Sequence, residues 1–332
     1  MHRTAKRWVR YFVSLALALG ILAWLLARQK WDRLEGNVRW GYLLAAIGVA
    51  ALYWTLRVVR WRWMVSLEGQ HITWPQAWVS MLAGLGVGLI TPMRSGELAR
   101  AIFIPKGARL RLAGWVAIEK MFDLSSVLVM CVVGVFYMVF GGSLKLFGAE
   151  AVPPWMLLVV PPLLAAALGV PLLVHYRPKR LWSALGRVLP ARARSLAEAR
   201  LEWDQFGIFF AYSMAAELLS ILAVFLCLRA YGDIHLLAAT MLTPFVMLNN
   251  LLPATPGGFG VRELFAAKIF GAFNFTEAMV LAAYVTNALI VLVIPGALGV
   301  AGAWVAGVTS QIRRAAAEEI AGEAPAAEGA GS

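Results

Sequence analysis

Two short stretches place charged residues beside helix breakers in apolar surroundings. TPMRSGELARAIF, from Thr91 to Phe103, carries Arg94, Ser95, Gly96, Glu97 and Arg100; TPGGFGVRELFAAKIF, from Thr255 to Phe270, carries Pro256, Gly257, Gly258, Gly260, Arg262 and Glu263. A short helix that begins inside a membrane presents free N–H groups and the positive end of its dipole, so its natural guest is an anion. The glycines let backbone approach such a guest closely. Arginines beside them supply charge-assisted hydrogen bonds suited to phosphate.

Further ionisable groups follow. Glu119, Lys120 and Asp123 open an apolar run, with Glu119 and Asp123 at i,i+4 on one helical face, and Glu217 lies deep in another run. Asn249, Asn250 and Asn287 add uncharged polar groups. An ionisable side chain at mid-bilayer costs about 2.5–3.5 kcal/mol on insertion scales, so the set predicts a polar cavity bounded by both stretches. In that reading Arg94, Arg100 and Arg262 engage phosphate. The acids Glu97, Glu119, Asp123, Glu217 and Glu263 neutralise these bases when the site is empty, and one of them carries a proton as coupling ion. Each residue also has a plainer reading. Glu97 and Glu263 can complement a helix dipole, Glu119 and Asp123 can be solvated at an interface, and Arg94 and Arg100 can be cytoplasmic anchors. The depth of Glu217 leaves least room for that.

Other chemistries find no support. There is no GxxxxGK[ST] loop, no HExxH and no GxSxG. His2, His71, His175 and His235 are scattered, and Cys131 and Cys227 stand alone in separate runs, so neither metal nor cofactor is expected. ATP-driven pumping by this chain is not expected either.

The elements that must hold these groups follow from composition. Of 332 residues, 61% are hydrophobic and 14% charged, which argues for a bilayer. The net charge of +12 does not point to nucleic acid, because the bases flank apolar runs. Runs of about 20 apolar residues cross hydrocarbon, and they predict spans near Trp8–Ala27, Trp40–Leu56, Gly114–Phe140, Pro154–Val174, Phe206–Leu228 and Thr276–Ala306. The runs Ala77–Ile90 and Leu236–Leu252 are interrupted, each followed by a second short helix, Glu97–Ile104 and Glu263–Phe273. Unpaired backbone survives in a membrane only where protein or a wet cavity covers it, so both pairs are predicted to be re-entrant hairpins.

With both termini cytoplasmic, the inside face collects most of the Lys and Arg, among them Arg57, Arg60, Arg62, Arg94 and Arg100 as anchors. Three spans separate the two breaks, so one hairpin enters from each side, as in an inverted repeat. The fold class is thus an all-α polytopic membrane protein: six full transmembrane helices plus two broken-helix hairpins. Residues 1–306 form a single membrane domain, 177–200 a basic interfacial segment within it, and 307–332 a disordered cytoplasmic tail.

PMRSGELAR at Pro92–Arg100, EKMFD at Glu119–Asp123 and PGGFGVRE at Pro256–Glu263 together resemble signatures of the flippase-like membrane family that includes the transmembrane region of lysylphosphatidylglycerol synthase. The resemblance spans about Trp8 to Ala306. It implies a multi-pass protein of the bacterial cytoplasmic (inner) membrane that moves a lipid headgroup between leaflets, with the motif residues lining the path. In synthase members a soluble aminoacyl transferase domain follows the membrane region. Only about 25 residues follow here, so lysyl transfer is not expected. Lys120 stands where similar proteins often carry arginine, which keeps the charge but loses the bidentate fork. The expected partners are membrane lipids, with an anionic headgroup as substrate. A homo-oligomer or a lipid-modifying enzyme is the possible protein partner. Two alternatives stay open: a membrane-embedded transferase with Glu119 or Asp123 as general base, and an accessory subunit of a lipid-linked glycosylation system.

Overall fold

The computed structural model describes residues 38–104, 109–140, 154–176, 202–248, 255 and 258–307. The predicted first span at Trp8–Ala27, the basic segment at 177–200 and the tail beyond Gly307 lie outside these. Among the described residues every regular element is helical. Helix α1 is Trp40–Leu67, α2 is Trp74–Ile90, and a 3₁₀ segment over Pro92–Phe103, the return arm, runs back along α2. Helix α3 is Arg109–Phe140, and a 3₁₀ turn at Pro154–Val159 leads into α4, Val160–Tyr176. Helix α5 is Trp203–Tyr231, α6 is Leu236–Met247 and α7 is Val261–Gly271. Helix α8 is Glu277–Gly307, with a π turn at Leu289–Val293. By length and apolarity α1, α3, α5 and α8 can each cross a membrane.

Local chemistry sets the breaks. Thr73 and Gln76 form a capping box that starts α2, with a proline in its first turn. Pro92 ends α2 by holding Thr91 extended. Helix α7 begins at Gly260, whose φ of 80° and that of Gly258 at 78° lie in the left-handed region that glycine tolerates.

Two boundaries differ from the sequence expectation. Helix α1 does not stop near Leu56 but runs on to Leu67, so Arg57, Arg60 and Arg62 are helical and not loop anchors. The arm after the first break is a 3₁₀ helix, with three residues per turn.

Helices α3 and α5 run one way, and α1 and α8 the other. The start of α1 meets the end of α5, where Arg39 N–H donates to the Ala230 carbonyl at 3.0 Å and the Arg39 guanidinium pairs with Asp233 at 2.8 Å. That hydrogen bond holds the Asp233 carboxyl below the ordinary carboxylate range. At the opposite end the Trp63 ring meets Phe209, 5.0 Å between centroids, so α1 and α5 are antiparallel. Helix α3 opposes α1, since Glu68 accepts from the Trp115 indole at 2.7 Å. Helix α8 opposes α5: Tyr231 and Thr286 share a hydrogen bond at 2.7 Å, and farther along α8 Val291 accepts from the Trp54 indole at 2.9 Å. The chain thus repeats one order, a long helix, a broken pair and a long helix, with α1 and α5 in opposite directions. Trp61, Trp115, Phe122 and Phe209 lie in the core between α1, α3 and α5. Leu44 and Ile47 of α1 and Leu298 and Trp304 of α8 point outward, as lipid-facing positions require.

Candidate functional site

The first break builds the site from four elements. Arg57 and Arg60 stand at i,i+3 on α1, and Glu119 and Asp123 at i,i+4 on α3, so each pair shares one helical face. Glu97 and Arg100 lie three apart on the return arm, where the 3₁₀ turn stacks them in line. Ser213 enters from α5.

Glu119 is the hub. Its Oε1 accepts from Arg57 Nη2 at 2.9 Å and from Arg60 Nη2 at 2.5 Å, while Oε2 pairs with Arg100. Asp123 Oδ1 accepts from Arg60 Nη1 at 2.9 Å and from the Ser213 hydroxyl at 2.7 Å. Ser213 Oγ in turn accepts from Arg60 Nη1 at 2.8 Å. Arg57 Nη1 donates to the Tyr53 hydroxyl at 2.7 Å, and Arg100 lies 4.6 Å from the centroid of the Trp61 ring. Lys120 completes the group, 2.5 Å from Glu97 and 3.9 Å from Asp123.

These charges are packed away from solvent. The side chains of Arg60, Arg100 and Glu119 are each 1% exposed, whereas Lys120 is 40% exposed. Nε of Arg57 and Nε of Arg100 are buried with no hydrogen-bond partner among the described residues. Glu217 sits one turn beyond Ser213 on α5, within electrostatic reach of Asp123, Arg57 and Lys120, and makes no hydrogen bond or ion pair with a described residue.

A second polar group lies at the other break. Glu263 Oε2 accepts from Gly260 N–H at 2.7 Å and Oε1 from Arg262 Nη2 at 2.5 Å, with both side chains buried. Tyr284 faces Thr243, yet neither hydroxyl reaches hydrogen-bond geometry with a described group, and Asn287 Oδ1 is likewise buried without a partner. No hydrogen bond or ion pair among the described residues joins this group to the first.

Of the residues singled out in the sequence, the structure brings together Gly96, Glu97, Arg100, Glu119, Lys120 and Asp123, with Glu217 beside them. It places Gly258, Gly260, Arg262 and Glu263 at the second break. Arg94 and Ser95 lie in the return arm, but their side chains are outside the described set, as are Asn249, Asn250, Pro256 and Gly257 altogether. Glu119 and Asp123 point inward, which goes against their plainer reading as solvated interfacial acids. Arg57 and Arg60, read as anchors, are the largest correction: they are 7% and 1% exposed and hold both α3 carboxylates. Tyr53 and Ser213 were also missed. The spacing in YWTLRVVRWRW carried the signal, because Tyr53, Arg57 and Arg60 fall on one face once the helix continues past Leu56. Arg62, on another face of α1, stacks 4.1 Å over the exposed Trp74 and makes no ion pair with the group among the described residues.

Charge at this depth persists only where protein surrounds it, so the fold defines a polytopic helical membrane protein with a polar interior, not a bundle of inert anchors. The family model described as the lysylphosphatidylglycerol synthase TM region matches residues 11–299, and the chain belongs to that family. Its place is therefore among membrane proteins concerned with lipid. No curated protein and no solved structure matches the chain.

Proposed function

We propose that this chain is a flippase-type translocase that moves an anionic lipid headgroup, phospholipid or polyprenyl-phosphate-linked, between leaflets of the bacterial cytoplasmic membrane. The observation that carries the reading is the buried group at the first break, where Arg57, Arg60, Arg100 and Lys120 face Glu97, Glu119 and Asp123. Such a network is no more stabilising than apolar packing of the same volume, which favours a role in binding. Phosphate oxygens occupy a guanidinium fork as carboxylate oxygens do, so a headgroup can exchange with Glu119 and Asp123 for the same donors.

The opposed directions of α1 and α5 favour an inverted repeat, with the hairpins re-entrant from opposite faces and rocking of one half against the other exposing the site alternately. Gly96, Glu97, Arg100, Glu119, Lys120, Asp123 and Glu217 form the first half of the path. Arg94 and Ser95 belong with them by position, and Gly258, Gly260, Arg262 and Glu263 form the second half. A proton on one of the acids is the proposed coupling ion.

The transferase alternative is weaker, since both candidate bases are already engaged inside the protein: Glu119 accepts from Arg57, Arg60 and Arg100, and Asp123 from Arg60 and Ser213. Reconstitution of the purified protein in liposomes tests the proposal. Labelled anionic lipid is expected to equilibrate between leaflets chemically unchanged, and Glu97→Gln or Arg94→Gln to abolish that transfer while the protein still inserts. Altered lipid would point to a transferase, inactivity until a partner is added to an accessory subunit, and full transfer in both variants to mere scaffolding at the first break.

A further inference from the structure

Among the described cations of the first-break group, Lys120 is the one that can be reached from outside. Arg60 and Arg100 are 1% exposed, and the carboxylates around them fill their forks; Lys120, at 40%, stands at the boundary. Its partner there is Glu97, at 2.5 Å, which belongs to a different element, the return arm. Among the described residues the arm is held on α3 by two ion pairs of opposite polarity, Glu97 to Lys120 and Arg100 to Glu119. These pairs join neighbours on both sides, since Glu97 and Arg100 eclipse on the 3₁₀ turn and Glu119 and Lys120 are consecutive. The arm's root is tight: Gly96 N–H donates to Thr91 Oγ1 at 2.7 Å, and Gly96 lies against the backbone of Val87 and Gly88.

We propose that the Glu97–Lys120 pair is a latch opened by competition: an anionic lipid headgroup takes the place of Glu97 on Lys120 and frees the outer tie of the return arm. This rests on the translocase reading and adds how substrate and hairpin are linked. Lys120 is the first contact of the headgroup, and Glu97 is its built-in competitor. Once Glu97 is displaced, the Arg100–Glu119 pair is the arm's remaining ionic tie to α3 among those described, and the buried guanidinium groups become approachable. The flexible ammonium of lysine suits this role better than a fork would, because a point charge exchanges one oxygen for another without matching a plane.

The test is that the two partners act in opposite directions. Full-length protein in uncharged detergent is titrated with dihexanoyl phosphatidylglycerol, with dihexanoyl phosphatidylcholine and inorganic phosphate in parallel. Glu97→Gln removes the competitor and is expected to tighten phosphatidylglycerol binding about five-fold, whereas Lys120→Gln is expected to weaken it about ten-fold. Lys120→Arg keeps the charge and is expected to retain binding. A second measurement needs no variant: acetylation of the Lys120 amine in the wild-type protein, read by mass spectrometry, is expected to fall with phosphatidylglycerol but not with phosphatidylcholine. Equal protection by inorganic phosphate would show that the latch answers to the anion without its lipid. A pair that only braces the fold would shift binding in the same direction in both variants or in neither, and either result overturns the latch. If that happens while liposome transfer persists, the translocase reading stands without it; if the wild-type protein neither binds nor transfers anionic lipid, both fall.

Discussion

At the scale of single residues, the first-break group depends on Arg60, which donates to Glu119, Asp123 and Ser213 from a side chain 1% exposed. Arg60→Met leaves the carboxylates facing fewer donors in a low-dielectric interior. The expected loss is about 3–5 kcal/mol, seen as a lower unfolding midpoint of the purified protein. Adding Asp123→Leu is expected to recover part of that loss, because the stranded charge goes with it; independent, additive losses would mean the pair is not coupled. The acids of this group were legible in the sequence, since Glu119 and Asp123 interrupt an apolar run at helical spacing. Their arginines were not. A basic residue at the end of an apolar run looks like an interfacial anchor, and only the true end of α1, beyond Trp63, Met64 and Val65, carries Arg57 and Arg60 into the core while Arg62, on another face, stays half-buried.

At the scale of elements, three helix contacts are set by glycine. A Cβ on Gly96 would stand 2.5 Å from the Val87 carbonyl carbon, and one on Gly299 of α8 would stand 2.1 Å from the Leu82 carbonyl carbon of α2. Gly86 and Gly296 meet between the same two helices. Gly207 of α5 has nothing within 4 Å. Gly96→Ala and Gly299→Ala are therefore expected to cost about 1–3 kcal/mol each by forcing backbones apart. Gly207→Ala is expected to be neutral or to gain up to about 1 kcal/mol, as glycine in a helix interior is unfavourable. Thermal unfolding of the three variants checks this; equal midpoints would mean the contacts can relax. Both breaks were visible beforehand because Pro92 and the Gly258–Gly260 turn forbid a continuous helix. The 3₁₀ form of the return arm was not visible, since it depends on packing against α2, and neither was the π turn at Leu289–Val293, within which the Val291 carbonyl accepts from Trp54.

At the scale of the whole molecule, the two halves meet along α1 with α5 and along α2 with α8, and also along α3, which packs on α5 and α6 through Trp115 on Phe209, Asp123 with Ser213 and Gly134 against the Met241 carbonyl. Rocking of one half against the other moves these seams together. The first is fastened at both ends, by Arg39 with Asp233 and by Trp63 with Phe209. The second is small-residue backbone contact, which can shift without breaking hydrogen bonds or ion pairs. Gly302 lies beside Val79 on that seam, a Cβ there falling 3.4 Å from Val79 Cγ2. Cysteines at both positions are thus close enough for a disulfide, and Cys131 and Cys227 are buried away from oxidant. The oxidised Val79→Cys, Gly302→Cys protein is expected to keep its affinity for anionic lipid but lose transfer in liposomes, and to regain it on reduction. Undiminished transfer in the cross-linked protein would place the motion elsewhere, leaving the hairpin arm at the first break as the moving part.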